Sequence, residues 1–142
     1  MGLYLPAEGN ETVTIKDPLA VFRAYDAALK AGNMAALLDV LADDIVWHQP
    51  GRHRLSGDRR GREAVLQLFQ ELGDASSGTF RVQTRNVMVN GSMVAASVRF
   101  SGQRGNQSID MDGVDFYRVV GNLITEVWLF SADQDEEDTF WS

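Results

Sequence analysis

The chain has 142 residues, 44% of them hydrophobic and 23% charged, with a formal net charge of −7 and no cysteine. That is one domain's worth of sequence, able to bury about two-thirds of its unfolded surface. The composition gives no disulfide framework and no thiolate nucleophile, and the acidity opposes general nucleic-acid binding, which needs a basic footprint.

No apolar run approaches the roughly 20 residues that span a bilayer, and the N-terminus lacks the basic and apolar segments of a secretory signal. The expectation is a cytoplasmic protein whose partner is a small molecule, with no membrane and no nucleic acid. Residues 1–16 read as an arm ahead of one domain over residues 17–142. Asp17-Pro18 starts a helix, since the aspartate can cap it and the proline's fixed φ suits the first helical position. Leu19, Phe22, Tyr25 and Leu29 follow at helical spacing until Gly32 stops it. Asn33 can cap a second, shorter helix with Met34, Leu37, Leu38 and Leu41 on its apolar face. Ile45 to Gln49 predicts a strand ended by Pro50-Gly51, and a third helix is expected from about Arg62 to Leu72.

The second half changes period. Asn90-Gly91, Gly105-Asn106 and Gly121-Asn122 supply the positive-φ residues that tight hairpins require. They divide four long strands: Thr79–Val89, Met93–Arg104, Gln107–Val120 and Leu123–Phe130. Helices gathered before an antiparallel sheet predict an α+β architecture. A curved sheet around those helices would enclose a pocket.

The runs ADDIVWHQPG, SGDRRGREAVLQLF and DFYRVVGNLITEVW resemble the SnoaL-like branch of the NTF2-like superfamily, which includes polyketide cyclases and ketosteroid isomerases. The resemblance covers about Asp17 to Trp141. It implies a cone: three N-terminal helices packed on a strongly curved, mostly antiparallel sheet that encloses a cavity. It also implies a homodimer through the outer sheet face. In the isomerases a first-helix tyrosine and a protonated aspartate on a late strand donate hydrogen bonds to a developing enolate, and Tyr25 and Asp115 occupy those positions. The isomerase base precedes the proline ending the first strand, which here is Gln49, a carboxamide that cannot act as a base near neutral pH. The cyclases carry an acidic group just after the position of Trp128, which here is Leu129, and their cavity histidine aligns with Asp115. In epoxide-hydrolase relatives a tyrosine and an asparagine two apart position a water, and Trp47 and Gln49 have that spacing.

On the residues themselves, Asp115 shares one strand face with Met111, Gly113, Tyr117 and Val119 by period two. If that face lines the cavity, desolvation raises the carboxyl's pKa and makes it a neutral donor or general acid. The alternative is an outer-face Asp115, or one paired with Arg99. Tyr25 lies on the buried stripe with Phe22, either as core or as a cavity hydroxyl. Trp47 and Gln49 must share a face, expected to be inward, which sends His48 outward unless a bulge at Pro50 reverses it. His48 or Asp112 is the substitute base if one is needed. Trp47, Trp128, Tyr117 and Phe22 are expected as the substrate-binding wall. His48 and His53 have no recognised zinc spacing and no third nitrogen or sulfur ligand, so neither metal nor cofactor is expected. Arg52, Arg54, Arg59, Arg60 and Arg62 read as a solvated loop, a guide for an anionic substrate, or partners of the acidic tail around Asp133–Asp138. Phe140 and Trp141 are expected to anchor that tail on the body.

These readings converge on a cofactor-independent enzyme doing acid/base chemistry (isomerisation, cyclisation, dehydration or epoxide opening) on a hydrophobic oxygenated small molecule. The competing reading is a non-catalytic binding dimer that keeps the cavity without the base.

Overall fold

In the computed structural model, which describes residues 17–142, the first helix, α1 (Pro18–Ala31), is bounded as its sequence dictates. Asp17 accepts a hydrogen bond from the Ala20 amide at 2.7 Å, and Gly32 closes the helix at φ 66°, a left-handed conformation that is costly for other residues. Asn33 caps α2 (Met34–Val40) in the same manner through the Ala36 amide. The expected arm over residues 1–16 lies outside the described residues. No helix among the described residues is long and apolar enough to cross a membrane.

β1 (Leu41–Gln49) starts four residues earlier than the alternation predicts, because α2 hands over directly to extended chain at Leu41. β2 (Gly57–Arg60) was not foreseen: its four residues carry no apolar alternation and are held as an edge strand by antiparallel pairing with β1. α3 (Arg62–Ala75) buries Val65, Leu68 and Leu72. β3 (Arg81–Asn90) begins after Thr79, whose hydroxyl is taken up by the Ser76 carbonyl and the Gln103 amide. β4 (Met93–Arg104), β5 (Gln107–Val120) and β6 (Leu123–Ser131) complete the meander, with Gly91, Gly105 and Gly121 at positive φ in its turns. A fourth helix, α4 (Gln134–Trp141), replaces the expected acidic tail, so the described residues hold four helices rather than three.

The strand order is β2-β1-β6-β5-β4-β3, antiparallel except for the β1–β6 pair. Register shifts at Leu41/Val46, Thr84/Asn86 and Arg118/Val119 mark bulges, the devices that bend a sheet. The result is a six-stranded curved sheet with helices on its inner face, an α+β NTF2-like fold. Its core joins Phe22 and Val21 of α1, Leu68 of α3, Val94 and Ala96 of β4, and Val127 of β6. Each large apolar side chain fully buried there stabilises by about 1.5–3 kcal/mol. α4 is locked down by Trp141, which is wholly buried against Phe80, Phe140 and His53. Arg104 supports the helix end by donating to the Phe140 and Ser142 carbonyls at 2.6 and 2.8 Å.

Candidate functional site

A cavity of about 560 Å³ opens between the helices and the inner sheet face. Leu29 of α1, Phe69 and Leu72 of α3, and Val98 and Phe100 of β4 give it an apolar wall. On its solvent side Asp26 pairs with Lys30 at 3.0 Å and accepts from the Thr84 hydroxyl at 3.2 Å. The polar groups deeper in the cavity fall into three sets.

The first set is built on β5. Period two turns Met111, Gly113, Asp115, Tyr117 and Val119 inward, as expected from the sequence. Asp115 sits between Ala96 of β4 and Leu129 of β6, so its neighbours in the sheet offer no charge to pair with. Burial pushes its carboxyl up to about 7; the Tyr117 hydroxyl, donating at 3.3 Å, moderates the rise, and the nearby negative charge of Glu137 adds to it. Tyr117 and Tyr25 face each other with ring centroids 5.3 Å apart. Burial, and then the charge of Asp115, pushes the Tyr25 phenol up as well; burial does the same to Tyr117. Both phenols are therefore neutral at neutral pH, and the Asp115 carboxyl beside them lies near its midpoint.

The second set is the end of β1. Trp47 and Gln49 both point inward and are buried. The Trp47 indole N–H donates to Gln49 Oε1 at 3.0 Å, and the Trp47 ring stands edge-on to Phe69 at 5.0 Å. That bond fixes the carboxamide, leaving its NH₂ as the donor that Gln49 offers to the cavity.

The third set was not among the site residues expected from the sequence. Glu137 of α4, only 4% exposed, lines the cavity and receives the Ser131 hydroxyl, the Gln134 amide at 3.1 Å and the Trp141 indole N–H at 3.2 Å. Burial pushes its pKa up while those three donors hold it back. A usable signal was present: Glu137, Phe140 and Trp141 lie at i, i+3 and i+4, one face of a helix that Asp133 caps through the Glu136 amide.

The family model for the SnoaL-like domain matches residues 21–127, which span every element from α1 into β6. The chain belongs to the SnoaL-like family. An uncharacterised protein, Rv0034 of Mycobacterium tuberculosis, is 30% identical over 125 residues, covering 87% of this chain and 95% of that one. Among solved structures, a protein of unknown function with a cystatin-like fold from Xanthomonas campestris is 36% identical, with a TM-score of 0.85 over 89% of this chain and 99% of that one. IdmH from Streptomyces antibioticus, a candidate polyketide cyclase, shares the fold at 19% identity, with a TM-score of 0.68 over 82% of this chain and 93% of that one.

Several expected site residues of this SnoaL-like chain lie elsewhere. Trp128 is not cavity wall: β6 turns Val127 and Leu129 inward, and Trp128 stacks outside on His48, with the Arg118 guanidinium 5.5 Å from its ring centre. His48 is held outside too, Nδ1 to Asp58 and Nε2 to Glu126, both at 2.7 Å. The Glu126 hydrogen bond, with help from Asp58 and against partial burial, holds the imidazole above its ordinary value. It cannot reach the cavity as a substitute base. Nor can Asp112, which is exposed on the outer face and bonded to Arg99 at 3.2 Å. Phe22 is core beneath Tyr25 and Tyr117 rather than lining. The arginine loop is not the cavity rim, since Arg59 binds Glu71, Arg60 binds Asp58 and Arg62 binds Asp43; the cations in the lining are Lys30 and Arg81. His53 is buried against Trp141 with Nδ1 accepting from the Leu55 amide at 3.1 Å. No group of three metal-ligating side chains exists among the described residues.

Proposed function

We propose that this chain is a cofactor-independent enzyme that performs acid/base chemistry on a hydrophobic, oxygenated small molecule, by isomerisation, cyclisation, dehydration or epoxide opening. The observation that carries the reading is Asp115, a carboxyl titrating near neutrality inside a largely apolar cavity of about 560 Å³. A group poised near the working pH transfers protons well in both directions, and perturbed acids cluster at functional sites. Asp115 donates to or protonates a substrate oxygen, and Tyr117 holds it in place. Tyr25 supports Tyr117, and Gln49 offers its NH₂ to the same oxygen or to a water. Trp47, Phe69 and Leu72 supply the apolar bed. In an Asp115→Asn variant, turnover of any substrate found should fall at least about 100-fold while binding of that substrate, followed by Trp47 fluorescence, persists. Equal loss of binding and turnover would make Asp115 structural.

Gln49 and Leu129 favour a second reading. Both line the cavity, and both are uncharged at positions where the resemblance to the isomerases and cyclases implies acids, as in a non-catalytic binding protein that keeps its pocket. On either reading we propose a homodimer through the outer sheet face. There Val114, Phe116 and Phe130 stand exposed, with Phe116 and Phe130 edge-on at 5.4 Å. Light scattering of the wild type and Phe116→Glu/Phe130→Glu tests this; a dimer in both would place the interface elsewhere.

A further inference from the structure

Glu137 is a buried cavity carboxyl for which sequence reasoning supplied no role, and its surroundings fit a base. A carboxylate has about four acceptor sites on its two oxygens. At Glu137 the Ser131 hydroxyl and the Gln134 amide both go to Oε1, whereas Oε2 takes only the Trp141 indole. Three donors fix the group in one orientation and leave one acceptor site, on Oε2, in a residue that lines the cavity.

The register of β5 on β6 puts this group beside Asp115. Asp115 lies opposite Leu129, and Gly113 lies opposite Ser131, so Ser131 is the diagonal neighbour of Asp115 on the inner face. Gly113, opposite Ser131 and two residues before Asp115, sits where a side chain does not fit. A Cβ there would come within 2.7 Å of the Phe130 carbonyl and 3.2 Å of the Phe100 ring. Asp115 is therefore separated from the Ser131–Glu137 bond by a glycine, with the apolar side chains of Val98, Phe100 and Leu129 around it. The other charged group near Glu137 is Asp138, which binds Gln134 Nε2 at 2.9 Å.

We propose that Glu137 is the cavity's proton-accepting base, paired with Asp115 as its acid, and that the pair acts on a ketone bearing a proton on the carbon next to its carbonyl. This rests on the function proposed above for Asp115. The Glu137 carboxylate takes that proton, and the C–H electrons become a C=C bond. The carbonyl π electrons move to oxygen, which receives a hydrogen bond or the proton of Asp115. Returning the proton from Glu137 to the same carbon gives exchange, and returning it to a conjugated carbon gives isomerisation. No oxidant or co-reactant is needed. The missing carboxylate at Gln49 is thus replaced from the opposite end of the chain.

Exchange of the α-protons of 2-tetralone in D₂O, read by proton NMR, tests this on the full chain together with infrared titration of the protonated carboxyl band. The wild type should accelerate exchange. Glu137→Gln should lose about 100-fold or more of that acceleration and should shift the Asp115 titration to lower pH by removing a nearby negative charge. Ser131→Ala keeps the carboxylate but deletes one donor, so it should retain exchange and move the acid limb of its pH profile upward. Undiminished exchange in Glu137→Gln, or an Asp115 titration unmoved by it, overturns the proposal and leaves Asp115's role standing. Absence of exchange in the wild type overturns it as well, and the Asp115 titration then reports separately on the proposed function.

Discussion

Asp115→Asn should stabilise this protein, and by an amount that depends on pH. The carboxyl's pKa rises from 3.8 in a solvated aspartate to about 7 in the fold, chiefly through burial. Between those values the folded chain keeps a proton that the unfolded chain has released, so stability falls as pH rises across the window. A rise of about three units amounts to about 4 kcal/mol, reached in full above neutrality and absent near pH 4. Asparagine has nearly the same shape, can still accept from Tyr117, and never ionises. The variant's advantage over wild type should therefore grow by about 4 kcal/mol between about pH 4 and pH 8. Urea unfolding of both proteins through that range measures it, and Glu137 and His53, present in both, cancel to first order. A stability difference that stays flat with pH would show that Asp115 is solvated, and the acid/base reading would fall with it.

Three other outcomes follow from the geometry. His48 has a raised folded pKa, so its contribution is full below its ordinary value and is lost as pH rises through the folded one; His48→Gln should cost about 1 kcal/mol near pH 5.5 and less near pH 9. A cost that grows with pH contradicts the pairing with Glu126 and Asp58. Gly51 sits at φ 92°, and a Cβ there would collide with Asp138 Oδ1 and Gln134 Nε2 of α4. Gly51→Ala should cost about 2 kcal/mol and speed amide exchange across residues 134–141, whereas wild-type protection there would mean α4 docks independently of the Pro50 turn. Tyr117→Phe removes the hydroxyl that restrains Asp115 and should raise the Asp115 titration further; a downward move would reverse the assigned donor.

Much of this fold could be read locally. Asp17, Gly32 and Asn33 act within a turn of themselves, and the glycine-asparagine pairs set the meander by φ alone, so those boundaries needed no tertiary information. The alternation that placed Asp115, Trp47 and Gln49 inward is equally local, and so is the parity that sends His48 outward. Trp128 was misplaced because an apolar side chain was given to the cavity against the inward Val127 and Leu129 on either side of it. β2 escaped because Gly57–Arg60 has no pattern of its own and exists only by pairing with β1. Glu137 escaped for a different reason. Five acidic residues over Asp133–Asp138 read as a tail and as partners of the arginine loop, so the helical spacing that joins Glu137 to Phe140 and Trp141 went unused.

The measurement that bears most directly on the account is a carbon-13 NMR titration of the Asp115 carboxyl in the intact chain, assigned with Asp115→Asn. The account predicts a midpoint at about 7, with the side chain still protonated in mildly acidic solution. A midpoint near 3.8, the value of a solvated aspartate, would contradict it.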